Sequence, residues 1–65
     1  MRILIEYDDT TYVSEVMKEA ESIFSLKPDT FVFVTDNQFM EQNNKINTYD
    51  VNGKEVTIYM LSHAQ

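Results

Sequence analysis

The side chains of this chain that could take part in catalysis are its carboxylates and its one histidine. A nucleophile needs a base within reach and a third group to orient it. The histidine, His63, stands near the C-terminal end, where chains usually fray, and we expect it to be exposed. Asp8 and Asp9 are adjacent and could act as acid and base if burial separated their pKa values. Ahead of a helix, however, such a pair is typical of capping and dipole contacts. The sequence therefore predicts a protein that is not an enzyme.

Oxygen-bearing side chains cluster in two segments, residues 36–38 and residues 41–44. A calcium-binding EF-hand loop needs acids at alternating positions, a central glycine and a closing glutamate, and neither segment has that pattern. The chain also has no cysteine and one glycine, which argues against a zinc site and a glycine-rich phosphate loop. We therefore interpret both segments as loops and predict no metal and no other cofactor.

Charge is the property that best characterises this chain. Eleven acidic residues stand against five basic ones, for a formal net charge of −6 on 65 residues. This balance disfavours direct binding to nucleic acid, because contact with phosphates needs Lys and Arg. It favours a partner protein with a basic surface, which such a chain would meet quickly and in a salt-dependent way. The alternative interpretation is a solvated face that confers solubility.

The candidate contacts with such a partner are acidic residues near the start of the predicted helix, joined by a tyrosine that could anchor a charged rim. They are Glu6, Asp8, Asp9, Glu15, Glu19 and Tyr12. We refer to these six residues as the acidic set.

The length predicts one domain over residues 1–65, with marginal stability. A small domain without disulfides needs a well-packed core, a homodimer or a partner. No segment approaches the ~20 apolar residues of a membrane span, and the first residues lack the features of a signal peptide. We expect a cytoplasmic protein that does not bind membranes and could form a homodimer through an uncovered face of its sheet.

Hydrophobic periodicity predicts the elements that must position these residues. Alternation indicates a strand over residues 2–7, and spacing at three and four residues indicates a helix over 13–24 that Thr10 or Thr11 could cap. Residues 30–35 predict a central strand, apolar on both faces and covered on both sides. The fold class is α+β, with a single helix packed on a small mixed sheet of three or four strands in the order β-α-β-β-β. The predicted core comprises Ile3, Ile5, Val13, Val16, Met17, Ala20, Phe24, Phe31, Phe33, Val56, Ile58 and Met60.

The last third of the chain allows two interpretations. Asn52-Gly53 is a strong signal for a type I′ hairpin, which would pair residues 46–51 with residues 54–61. In the alternative, residues 48–51 form a short turn and only residues 56–61 form a strand. We favour the hairpin.

The run from Tyr49 to Leu61 resembles the end of ubiquitin, and Met1-Arg2-Ile3-Leu4-Ile5 resembles its opening strand. The resemblance implies a β-grasp-like fold, although ubiquitin has a hairpin before its helix where this chain has only residues 8–11. The tail has no Gly-Gly, so conjugation is not implied. The alternative hypothesis for the function is a ubiquitin-like interaction module that binds through its sheet face or an edge strand.

A second resemblance concerns the segment Glu21-Ser22-Ile23. It is similar to the acidic Glu-Ser-Ile segment of phage uracil-DNA glycosylase inhibitors, small acidic proteins that imitate the DNA backbone. This resemblance implies a phage-encoded inhibitor of a host protein, acting in the host cytoplasm as a DNA mimic.

Overall fold

The computed structural model of the protein describes residues 1–61, and His63 lies outside the described residues. Within this range, four strands, one α-helix and one short 3-10 helix follow each other. They are β1 (Arg2–Leu4), α1 (Val13–Phe24), β2 (Phe31–Thr35), β3 (Gln38–Met40), the 3-10 helix (Ile46–Thr48) and β4 (Glu55–Met60). The predicted helix is confirmed at both ends, and the predicted second strand is confirmed as β2.

The four strands form one sheet in the order β1-β4-β2-β3. All three pairings are antiparallel, so the α+β class is confirmed but the prediction of a mixed sheet is wrong. β1 and β2 run in the same direction, as a crossover through a helix requires. They are not neighbours, because β4 inserts between them and pairs with both.

The start of α1 differs from the prediction, because neither Thr10 nor Thr11 caps it. Tyr12 is the N-cap residue, and its backbone N–H donates to the Glu15 carboxylate at 3.1 Å. The first two helical N–H groups, of Val13 and Ser14, donate at 2.9 and 3.1 Å to backbone carbonyls of the loop that follows β3. A loop that is distant in sequence therefore accepts the hydrogen bonds of the first helical N–H groups. The sequence predicts instead that the side chain of Thr10 or Thr11 caps this end of the helix.

The helix ends with a residue in the left-handed region. Ser25 has φ 56°, and the N–H of Leu26 donates to the Glu21 carbonyl at 2.9 Å. This six-to-one hydrogen bond is the Schellman arrangement, in which a left-handed residue turns the chain away from the helix axis.

The type I′ hairpin lies at Asp36 and Asn37, between β2 and β3. Both residues have positive φ, 49° and 64°, and the flanking Thr35 and Gln38 face each other in the ladder. A two-residue loop of this kind needs positive φ at both central positions, and Asp and Asn tolerate that conformation best after glycine. β3 was not predicted, because residues 36–38 were interpreted only as the end of a strand.

Asn52-Gly53 forms a different turn, so the predicted hairpin between residues 46–51 and 54–61 is wrong. The N–H of Lys54 donates to the Val51 carbonyl at 2.9 Å, and of the two central residues only Gly53, with φ 83°, is left-handed. This is the pattern of a type II turn with glycine at its third position. The short-turn alternative is closer to the structure, in which the 3-10 helix begins before the expected turn and the single strand is Glu55–Met60.

The same glycine starts a bulge that joins the turn to β1. The N–H of Gly53 donates to the Ile5 carbonyl at 2.6 Å, and the N–H of Ile5 donates to the Lys54 carbonyl at 2.9 Å. Two residues thus oppose one, which is the G1 bulge that a left-handed glycine permits. The ladder between β1 and β4 therefore continues past Leu4 to the turn.

One core lies between α1 and the sheet. It contains most of the predicted residues, all of them buried: Ile3, Ile5, Val13, Val16, Ala20, Phe31, Phe33, Val56 and Ile58. Met17 and Phe24 pack against it while partly buried. Met60 is 45% exposed because it lies at the end of β4, so its prediction is wrong. The core also contains Met40, Ile46 and Val51, which were not predicted.

Candidate binding surface

The structure places the acidic set on two adjoining elements. Glu6, Asp8 and Asp9 lie in the connection between β1 and α1, and all three are exposed. Glu15 and Glu19 lie one turn apart on α1 and are also exposed. The prediction that these residues act together rests on whether the connection and the helix are held side by side.

Tyr7 holds the connection against the helix. Its hydroxyl donates to Oε1 of Glu19 at 2.5 Å, a short bond of the kind that a charged acceptor forms. Desolvation by burial, and then the neighbouring Glu19 carboxylate, raise the pKa of Tyr7 to about 12. Tyr7 is therefore a neutral donor at neutral pH, and Glu19 is fixed beside the residues that follow β1.

Asn52 fixes the other side of the same connection. Its side-chain oxygen accepts from the Tyr7 N–H at 3.2 Å, and its Nδ2 donates to the Tyr7 carbonyl at 2.8 Å. Tyr7 is thus held at its backbone by the turn before β4 and at its hydroxyl by α1. Sequence reasoning missed this role of Tyr7, which alternation placed at the end of the first predicted strand.

Glu15 and Tyr12 of the acidic set also have structural roles. The Glu15 carboxylate accepts the Tyr12 N–H at the start of α1. The exposed ring of Tyr12 lies under Nζ of Lys45, 5.8 Å from the ring centroid, within the range of a cation–π contact. Tyr12 therefore presents a ring that is already beside a cation, and a partner would meet both groups together.

No ion pair within residues 1–61 neutralises the charges of the acidic set. Residues 1–61 contain two such pairs, Arg2 with Glu55 and Lys54 with Asp50, each at 3.7 Å and each exposed. Neither pair includes a member of the acidic set. Exposed pairs of this kind contribute at most about 1 kcal/mol to stability.

The loop after β3 occupies the N-terminus of α1. The hydroxyl oxygen of Tyr49 accepts from the Glu41 N–H at 2.8 Å and from Nδ2 of Asn44 at 2.9 Å. These two hydrogen bonds, which we call the Tyr49 clamp, hold the loop in place. The Gln42 and Asn44 carbonyls can then accept hydrogen bonds from the first N–H groups of the helix. The end of α1 that would attract an anion is therefore already filled by backbone oxygens.

The sheet face opposite α1 is a second candidate surface. The register places Val34 beside Phe39 and Val32 beside Tyr59 on this face. Phe39 is 62% exposed and Tyr59 is 55% exposed. The prediction that β2 is central is confirmed, but its second side has no cover within residues 1–61. We call this surface, with Leu4, the open sheet face.

A groove of about 450 Å³ lies beside β2 and β3. Phe39 and Met40 line it from β3, Met17 from α1, and Asp29, Glu41 and Leu61 from the adjoining connections. Its walls are mainly apolar, and its polar lining residues are Asp29, Glu41, Gln42 and Asn43. Clefts with mainly apolar walls and a few polar groups commonly bind small ligands.

No three His, Cys, Asp or Glu side chains of residues 1–61 come together in a way that could hold a metal ion. The one α-helix in this part of the chain is too short and too polar to cross a bilayer.

Comparison with models of known protein families, with curated proteins and with solved structures gave no match for this chain. The resemblances to ubiquitin and to the glycosylase inhibitors therefore stay expectations from the sequence.

Proposed function

We propose that this protein is a non-enzymatic binding protein that uses its acidic set to dock on a basic surface of a partner protein. The observation that supports the proposal is the exposed carboxylates of the β1–α1 connection and of α1, which have no ion-pair partners among residues 1–61. A partner surface that otherwise binds nucleic acid would offer the matching charge. The protein would then act in the cytoplasm as an inhibitor, as the phage-encoded DNA mimics do.

The physical advantage of such a surface is speed and orientation. Complementary fields steer the encounter of two proteins and raise the association rate, and this gain falls steeply as salt is added. Tyr7 and Asn52 contribute by fixing the connection beforehand, so that little ordering is needed when the partner binds. Tyr12 would add apolar contact area at the edge of the charged surface.

The test begins with capture of partners from a cell lysate, followed by titration of each purified partner at two salt concentrations. The variant Asp8→Lys/Asp9→Lys reverses two charges of the connection. The matched control, Glu41→Lys/Glu55→Lys, makes the same change in net charge elsewhere on the surface. We expect the first variant to lose binding and the control to keep most of it. Equal losses in both, or an affinity that ignores salt, would contradict the proposal.

The open sheet face supports a second candidate function, an interaction module of the β-grasp-like, ubiquitin-like kind that binds without conjugation. Phe39 and Tyr59 are large, exposed and adjacent to the half-buried Val32 and Val34. Aromatic side chains on such a surface can act as anchors. Binding of this kind would depend little on salt. It would be lost on Phe39→Ser and kept on Asp8→Lys/Asp9→Lys, the reverse of the pattern expected for the first function.

A further inference from the structure

The outer edge of β1 presents backbone groups that β4 does not use. Odd-numbered residues of this strand bond to β4, as the hydrogen bonds of the Met1 carbonyl and of Ile5 show. Backbone groups alternate in direction along a strand, so those of Arg2, Leu4 and Glu6 point away from β4. β1 is the first strand in the sheet order and has no neighbour on that side among residues 1–61. An edge of this kind is a template for pairing with another strand.

The opposite edge of the sheet is a poorer template. β3 spans only Gln38–Met40, and its register with β2 directs the backbone groups of Gln38 and Met40 inward. Only the groups of Phe39 point outward. The chain then turns into the loop that caps α1, whose carbonyls are already engaged. Strand pairing is therefore far better supported at β1 than at β3.

The side chains along the outer edge of β1 are complementary to those of the same edge in a second copy of the chain. Arg2 and Leu4 lie on the open sheet face. Ile5 still bonds to the turn before β4, so alternation along the extended chain directs Glu6 to the same face. When two copies of this segment run antiparallel with Leu4 opposite Leu4, Arg2 of each copy stands opposite Glu6 of the other. Oppositely charged residues directly across a pair of strands stabilise it, and like charges destabilise it. Centring the contact on Arg2 or on Glu6 would instead place like charges face to face.

We propose that a second copy of this chain pairs with the free edge of β1, through a two-fold antiparallel contact centred on Leu4. The contact is isologous, so each favourable pair occurs twice. It joins two four-stranded sheets into one sheet of eight strands. Arg2 has its side chain exposed and lies 3.7 Å from Glu55 of its own sheet. Its guanidinium carries five donors and can serve Glu55 and the Glu6 of the second copy together.

The proposed dimer does not depend on the proposed function, although Glu6 belongs to both surfaces. Self-association is measured on the purified chain alone, with no partner present. A monomeric chain that binds a basic partner would therefore overturn the dimer and leave the function standing. A dimer that binds no basic partner would do the opposite.

The first experiment is sedimentation of the intact chain over a range of concentrations. The two copies carry −6 each, so salt near 0.15 M is needed, where the Debye length is about 8 Å and the overall repulsion is screened. The contact is small, so we expect a dissociation constant between about 10 µM and about 1 mM. A chain that stays monomeric up to about 1 mM overturns the proposal.

Charge exchange tests the register. Arg2→Glu and Glu6→Arg each place like charges across both symmetric pairs, so each should weaken the dimer at least about tenfold. The double variant, Arg2→Glu with Glu6→Arg, places opposite charges together again and should recover most of the affinity. The single variants change the net charge in opposite directions, so overall repulsion alone would make one weaker and the other stronger. That result, or a double variant that stays monomeric while folded by circular dichroism, overturns the register.

Hydrogen exchange distinguishes the edge from the open sheet face as the site of contact. Edge pairing places the Leu4 N–H in a bond to the Leu4 carbonyl of the second copy, so its exchange should slow as protein concentration rises. Contact through the open sheet face would leave the Leu4 amide equally exposed at all concentrations. A dimer with an unprotected Leu4 amide therefore contradicts pairing through β1.

Discussion

Replacing Tyr49 by Phe should destabilise this protein through a single oxygen atom. That oxygen accepts two hydrogen bonds, from the Glu41 N–H at 2.8 Å and from Nδ2 of Asn44 at 2.9 Å. The substitution keeps the ring, which packs against the core while partly buried. The change therefore removes the clamp on the loop and leaves the apolar packing of the ring in place.

The size of the effect follows from the two bonds and their exposure. A hydrogen bond contributes about 1 kcal/mol net, and an unpaired donor costs more when it is buried. Water can replace the bond to the Glu41 N–H, which is exposed, more easily than the bond to the part-buried Asn44 amide. We expect a loss of about 1 to 2 kcal/mol in the free energy of unfolding. In a domain of this size that lowers the melting temperature by about 4 to 16 °C.

The assay is urea and thermal unfolding followed by circular dichroism. The matched control is Tyr59→Phe, which removes the same atom from the open sheet face, where it has no hydrogen-bond partner within residues 1–61. The control should stay within about 0.5 kcal/mol of the wild type. Equal stabilities of the two variants would show that the Tyr49 clamp does not hold the start of α1.

Three further perturbations test other parts of the fold. Ile46→Ala removes a fully buried side chain and should cost about 2 to 5 kcal/mol, whereas Ile23→Ala, at a position 63% exposed, should cost less than about 0.5 kcal/mol in the same urea titration. Gly53→Ala meets no atom within 4 Å but forces an L-residue to φ 83°, so calorimetry should show a loss of about 1 to 2 kcal/mol that comes from the backbone alone. The pKa of Tyr7 is raised from 10.0 to about 12, so the folded state holds this proton more tightly than the unfolded state. The corresponding stability is present below pH 10 and is lost as the pH rises towards 12, and Tyr7→Phe should flatten that part of the stability–pH profile.

Local patterns in the sequence predicted the elements that bury a continuous apolar surface. Val13, Val16 and Ala20 recur at helical spacing, and the same residues face the core in α1. Phe31 and Phe33 alternate with smaller residues, and they are the inward residues of β2. These predictions succeeded because hydrophobic periodicity shows which face of a helix or strand is buried. That face must be buried in any topology that the rest of the chain adopts.

The residues typical of turns were less informative, because two dipeptides of this sequence can both adopt the type I′ conformation. Asn52-Gly53 is the stronger type I′ signal, yet Asp36-Asn37 forms that turn. Asn52 instead bonds to the backbone of Tyr7, forty-five residues away, and Gly53 bonds to Ile5. The residue types of a dipeptide determine which φ values its backbone can adopt. The packing of a neighbouring strand determines which of those values occur in the folded protein.

The sequence by itself determined the negative charge, the helix, the central strand and most of the core, because composition and periodicity are properties of neighbours along the chain. Only the tertiary structure decided that β4 separates β1 from β2, that Tyr7 joins Glu19 to the connection after β1, and that β1 is the first strand of the sheet formed by residues 1–61. Each of these depends on contacts between residues far apart in sequence, whose geometry is set by how the helix and the antiparallel sheet share one core.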